Sequence, residues 1–103
     1  MDYLKDFKIT DEVINYLESI LDEEEKKAFE DNIYFVYKSI KYFQTIGVTT
    51  ATINKMFLKD YTIFYEGDIN LRNKASKLPN LKQFVDNLNM NIDLMTYFKK
   101  RAN

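Results

Sequence analysis

Apolar residues recur along this chain at intervals of three and four, the period of a helix that buries one face. Behind Thr10, a capping residue, Val13, Ile14, Leu17, Ile20 and Leu21 share a face, and Asp11-Glu12 place carboxylates at the positive end of the helix dipole. A first helix is therefore expected over residues 11–21. Asp22-x-x-Glu25 has the form of a capping box. Phe29, Ile33, Val36, Ile40 and Phe43 follow as a continuous seam, which predicts a long central helix over about 23–46, ended by Gly47. Thr49 or Thr50 opens a third helix carrying Ile53, Met56 and Phe57 to about Lys59, and Gly67 and Asp68 open a fourth with Ile69, Leu71, Ala75 and Leu78. Pro79 breaks that helix, and Asn80 caps a fifth with Leu81, Phe84, Val85 and Leu88. Asn89 or Asn91 begins a sixth with Leu94, Met95 and Phe98. Residues 61–65, Tyr-Thr-Ile-Phe-Tyr, have strand propensity but no second strand to pair with, so they read as an aromatic connection laid on the core.

A looser pattern overlies these elements. The tetrads Leu4-Lys5-Asp6-Phe7, Ile40-Lys41-Tyr42-Phe43 and Leu81-Lys82-Gln83-Phe84 are each followed by an apolar triplet, Ile9/Ile14/Leu17, Val48/Ile53/Met56 and Met90/Met95/Phe98. A period of about 40 residues is the length of a helical hairpin. In the third copy Asn89 stands where Gly47 stands in the second, and Asn is the next-best residue for a left-handed turn. The expected fold is all-α: one domain of five or six helices, in a compact bundle or a short solenoid. With only two glycines and one proline, a many-stranded sheet would lack its turns.

Composition removes most chemistry. There is no histidine and no cysteine, so the usual general base at neutral pH, the thiol nucleophile and the common transition-metal ligands are missing together. Ser19, Ser39 and Ser76 do not sit in a nucleophile elbow, and Gly47 and Gly67 alone do not make a phosphate loop. The acidic run 22–25 lacks the spacing and glycine of a calcium loop, and its place at a helix start accounts for its charge. The expectation is a non-enzymatic protein with no cofactor and no metal. The first residues lack the basic region and apolar run of a secretory signal, and the longest nonpolar run, 33–37, is far short of a membrane span, so a cytoplasmic protein with no membrane partner is expected.

Aromatic residues, eight Phe and eight Tyr, then indicate where binding would occur. Tyr34, Phe35, Tyr37 and Tyr42 lie off the seam of the central helix. They either cover the core from further sides or form a partner-binding face, a use that suits tyrosine because it supplies contact area at low entropic cost. Net charge is −1, but it is segregated: residues 1–31 hold eleven acids and four bases, and residues 71–103 seven bases and two acids. The acids Glu23, Glu24, Glu30 and Asp31 would steer the molecule to a basic surface on a protein partner. The alternative is nucleic-acid binding by Arg72, Lys74, Lys77, Lys82, Lys99, Lys100 and Arg101. Acidic-to-basic contact between copies, giving a homo-oligomer, is a third reading.

The run Ile40-Lys41-Tyr42-Phe43-Gln44-Thr45-Ile46-Gly47-Val48-Thr49, followed by Ile53, Met56-Phe57 and Ile63-Phe64, resembles the repeat of the mitochondrial transcription termination factor family. That repeat sets a Leu-Gly-Val/Leu-Ser/Thr turn before an amphipathic helix. The resemblance covers about residues 40–90 and implies a helical solenoid that binds nucleic acid along a basic concave face. The chain departs from the family by lacking its proline after the first helix, where Asp60-Tyr61 stand. On the residues themselves, the favoured function is a small regulatory or inhibitory module that covers a surface on a protein partner.

Overall fold

Seven α-helices and two short 3₁₀ helices make up the fold in a computed structural model that describes residues 1–100, and among those residues there is no strand. A 3₁₀ helix at Asp2–Phe7 leads into α1 (Asp11–Ile20), α2 (Glu23–Asp31), α3 (Ile33–Thr45) and α4 (Thr50–Asp60). A second 3₁₀ helix at Tyr61–Tyr65 is followed by α5 (Gly67–Ala75), α6 (Leu81–Met90) and α7 (Leu94–Lys100). The all-α bundle is as expected, with one helix more than the sequence pattern resolves. Helix starts follow the capping residues: Thr10 accepts from the Val13 N–H, Thr49 from Thr52 and Asn80 from Gln83, while Asp22 and Glu25 form the reciprocal capping box.

The predicted central helix over 23–46 is two helices. At Asn32 the backbone leaves helical geometry, φ −99° and ψ 11°. Its N–H is shared between the carbonyls of Ala28 and Phe29, and its side-chain Nδ2 donates to Ala28 at 2.7 Å. An asparagine that offers the backbone a competing hydrogen bond is what interrupts the ladder. Apolar period misses such a break because the seam continues across it: Phe29, Val36, Ile40 and Phe43 are all buried and Ile33 is partly so.

α3 is the hub, packed most extensively on α5 and on the second 3₁₀ helix, while α1 packs on α4 and α7 on α5 and α6. Ile63 and Phe64 of the 3₁₀ segment are fully buried, and the Phe64 ring stacks on Phe57 at 3.9 Å with planes 5° apart. The expected connection laid on the core is thus a single tight turn that inserts two side chains. It is held by Ser39, whose Oγ donates to the Phe64 carbonyl at 2.9 Å and accepts from the Gly67 N–H at 2.9 Å. Gly67 has φ +82°, and a Cβ there would come within 2.9 Å of the Phe35 ring, so only glycine fits.

The two links that precede α1 and α4 have the same construction, 39 residues apart. Lys8 (φ 63°) and Gly47 (φ 99°) are left-handed, and the N–H groups of Ile9 and Val48 close back on the carbonyls of Leu4 and Phe43. In each case an asparagine amide from a later helix grips the link. Asn54 receives the Thr10 N–H at 2.8 Å and donates to the Lys8 carbonyl at 3.2 Å, and Asn89 does the same to Thr49 and Gly47, both at 3.0 Å. Asn89 is therefore not the third left-handed turn: it lies inside α6 and holds the second link in place. Met90, expected among buried triplet positions, is 85% exposed. The repetition is clear in the first two links and does not extend to the third.

Two stability predictions follow from these contacts. Ser39→Ala should cost about 1–3 kcal/mol in urea unfolding, because it leaves the Gly67 N–H and the Phe64 carbonyl buried and unpaired; a loss below 0.5 kcal/mol on that scale of about 1 would contradict the role given to the hydroxyl. Lys8→Gly should raise stability by about 0.5–1 kcal/mol by removing the left-handed strain of a side-chain-bearing residue, read as a higher urea midpoint.

Candidate functional site

The predicted aromatic face divides. Tyr34 and Phe35 are exposed and meet edge to face, 5.5 Å between centroids. Tyr37 instead turns toward the N-terminal 3₁₀ helix, where it lies 4.8 Å from Phe7 and 6.5 Å from Tyr3. Tyr3, Tyr61 and Tyr65 gather with it around buried Phe29. Burial, reinforced by Glu30, Tyr37 and Glu18, pushes the Tyr3 hydroxyl up to about 12; burial with Tyr61, Glu25 and Tyr3 does the same for Tyr65, also to about 12. Tyr3, Tyr61 and Tyr65 are packed, partly buried, against the core, and Tyr37 is half-buried beside them. Tyr42 is buried against α5, with the Arg72 guanidinium 5.7 Å above its ring.

Part of the C-terminal basic set is paired within the fold. Lys74 is buried and paired with Glu66 at 3.0 Å, and Lys82 pairs with Asp86 at 3.1 Å. Lys99 is bound to Asp60 and to the Thr62 hydroxyl. Lys77 and Lys100 are exposed, with no carboxylate within ion-pair distance among the described residues, and Arg101 lies outside those residues. The acidic candidates are exposed on α2 and partly neutralised there, with Glu23 3.9 Å from Lys26 and Asp31 3.9 Å from Lys27, while Glu24 and Glu30 stay in solvent. Among the described residues no three acidic side chains group as a metal site, and no helix is long and apolar enough to cross a membrane.

What the structure does bring together is a cleft between α3 and α5 of about 370 Å³, lined by Lys38, Lys41, Tyr42, Thr45, Ile46, Asp68 and Arg72. Tyr34, Lys38, Lys41 and Thr45 are spaced 4, 3 and 4 along α3, which stacks them on one face over three turns. Arg72 approaches from α5, one turn after Asp68. The cleft has this form because α3 turns its seam inward to the core, and the Ser39 hydrogen bonds fix where α5 begins. Lys38 lies 5.5 Å over the Tyr34 ring, so the aromatic pair and the cleft are one surface.

Its electrostatics are simple. None of Lys38, Lys41 and Arg72 has a carboxylate within ion-pair distance among the described residues, and Asp68 is the one acid in the lining. Burial pushes the Tyr42 hydroxyl up, opposed by the Arg72 charge, so the phenol stays protonated at neutral pH and can donate. The lining thus combines three cations and a phenol with a single carboxylate. Lys38 and Lys41 were missed from sequence, though the same 4-3-4 spacing with Tyr34 and Thr45 was available as a signal. The chain matches no family model, no curated protein and no solved structure.

A charged contact outside the cleft ties the end of α4 to α7. Asp60 caps the second 3₁₀ helix through the Thr62 N–H and hydroxyl, at 3.1 and 2.5 Å, and binds Lys99 of α7. Burial raises its carboxyl, but the hydrogen bonds from Lys99 and Thr62 outweigh that and hold it below the usual Asp range. A lowered folded value means the contribution is present above the unfolded carboxyl range, about 4, and is lost as pH falls through the folded value. Thermal melts of wild type and Asp60→Asn should therefore differ at pH 7 and converge as pH drops below about 4; a constant difference down to the acid limit would contradict this.

Proposed function

We propose that the protein is a non-enzymatic binding module, regulatory or inhibitory in effect, that covers a surface on a protein partner through the α3–α5 face. The observation that carries this reading is the exposed Tyr34–Phe35 pair set beside three cations in one cleft that have no ion-pair partner among the described residues. Tyrosine and arginine are the residues that dominate interface energies, and an apolar anchor beside a charged region is the composition of an interface centre and its rim. The absence of histidine and cysteine from the chain supports binding over catalysis. The charge of this face alters the partner: the α3–α5 surface suits an acidic one, where the acidic first third alone had pointed to a basic one.

Affinity capture from a nuclease-treated lysate of the native host tests the proposal. One protein species should be retained by the wild-type chain, with recovery reduced about tenfold by Tyr34→Ala, the loss expected of an interface anchor. Recovery that disappears with nuclease, or that is equal for wild type and Tyr34→Ala, would overturn it.

A further inference from the structure

We infer that the α3–α5 cleft docks an acidic, carboxylate-bearing segment of a protein partner, with Lys38, Lys41 and Arg72 as the anion-binding residues and Tyr34–Phe35 as the apolar end of the same track. This rests on the reading of the protein as a partner-binding module and names the chemistry its surface selects.

The length of the track, more than the spacing of its cations, argues for a segment over a single compact anion. From Tyr34 to Thr45 is eleven residues of helix, roughly 16 Å at about 1.5 Å per residue, with Lys38 and Lys41 one turn apart inside it. An extended peptide can follow such a track, its carboxylates meeting the cations and its apolar residues the aromatic end. A phosphoryl group is usually held by converging backbone N–H groups at a helix start or glycine nest. Here the α3 face is mid-helix, with its N–H groups committed to the ladder. At the start of α5, the Gly67 N–H is taken by Ser39 and the first turn already carries Asp68. Asp68 would also repel a dianion centred in the cleft, whereas a peptide can run past it.

The cleft is partly ordered before anything binds. The Arg72 guanidinium is held over Tyr42 and the Lys38 ammonium over Tyr34, at 5.7 and 5.5 Å, so both cations are placed by cation–π contacts. Lys41 is exposed, with no carboxylate within ion-pair distance among the described residues. A guanidinium that needs no rearrangement offers its paired N–H groups to a carboxylate at lower entropic cost.

The test is an NMR titration of the ¹⁵N-labelled full chain with an oligo-glutamate peptide at low salt, with inorganic phosphate and an oligothymidylate in parallel. Shifts confined to residues 34–46 and 67–72 are expected with the peptide, and salt should weaken them. Affinity should fall by at least about tenfold in the Lys38→Glu/Lys41→Glu double variant. It should hold within about threefold in Lys55→Glu/Lys77→Glu, which makes the same change of net charge outside the cleft. Circular dichroism on both variants checks that each is folded. The inference is overturned by no peptide-induced shift at low salt, by equal loss in the two double variants, or by phosphate or oligothymidylate shifting the cleft where the peptide does not. If the peptide fails but the Tyr34-dependent capture succeeds, this inference falls alone and the binding-module reading stands.

Discussion

At the centre of the molecule a single hydroxyl has to serve two backbone groups at once. Ser39 is fully buried on α3, and its Oγ donates to the Phe64 carbonyl while accepting from the Gly67 N–H. Both groups lie where the chain leaves a 3₁₀ turn and enters a helix, the place where backbone polar atoms lose their regular partners. Burying them unpaired would cost more than the hydroxyl's own desolvation. Fixing the turn also fixes Phe64, whose ring faces Phe57, and it seats Gly67 against the Phe35 ring, too close for any Cβ. The packing of α5 on α3 descends from this arrangement, and so does the opening between them.

The same helix consequently works in two directions. Val36, Ile40 and Phe43 face inward, and Tyr34, Lys38, Lys41 and Thr45 face out, with Tyr42 and Phe35 along the flank next to α5. A binding surface carried by a helix whose other side is locked into the core is rigid, and rigidity lowers the cost of immobilising side chains on association. The cation–π contacts extend that rigidity to Lys38 and Arg72, two long side chains that would otherwise lose rotamer freedom on binding.

Fold class, capping residues and most helix limits were legible in sequence because they depend on local spacing and on side chains that bond their own backbone. Thr10, Asp22, Thr49 and Asn80 act within three residues of themselves. What was not legible depends on partners far along the chain. The break at Asn32 leaves the apolar seam unchanged, so no period detects it. Asn54 and Asn89 grip links 40 or more residues before them, and nothing near either residue in sequence marks that duty. Lys8 takes the left-handed place that Gly47 has in the second link, against its own preference, because the surrounding hydrogen bonds impose it. The cleft was half legible: Tyr34 and Arg72 stood out as an aromatic and a base, while Lys38 and Lys41 were overlooked in a stretch where acids and bases nearly balance.

That oversight has a general physical cause. Summing charge along the chain assigns the basic character to residues 71–103, yet availability is decided by pairing in space. Lys74, Lys82 and Lys99 find Glu66, Asp86 and Asp60, and Asp93 finds Lys59, so both acids of the C-terminal third and three of its seven bases are paired. The middle of the chain contributes fewer cations, but Lys38 and Lys41 of α3 have no carboxylate within ion-pair distance among the described residues, and Asp68 is the one acid lining their cleft. An exposed ion pair adds little to stability, whereas an unpaired cation beside low-dielectric aromatic surface attracts counter-charge more strongly than one in open water. Which cations are available is therefore set by pairing in space, and two of those left over, Lys38 and Lys41, stand on a helix whose inner side is fixed in the core.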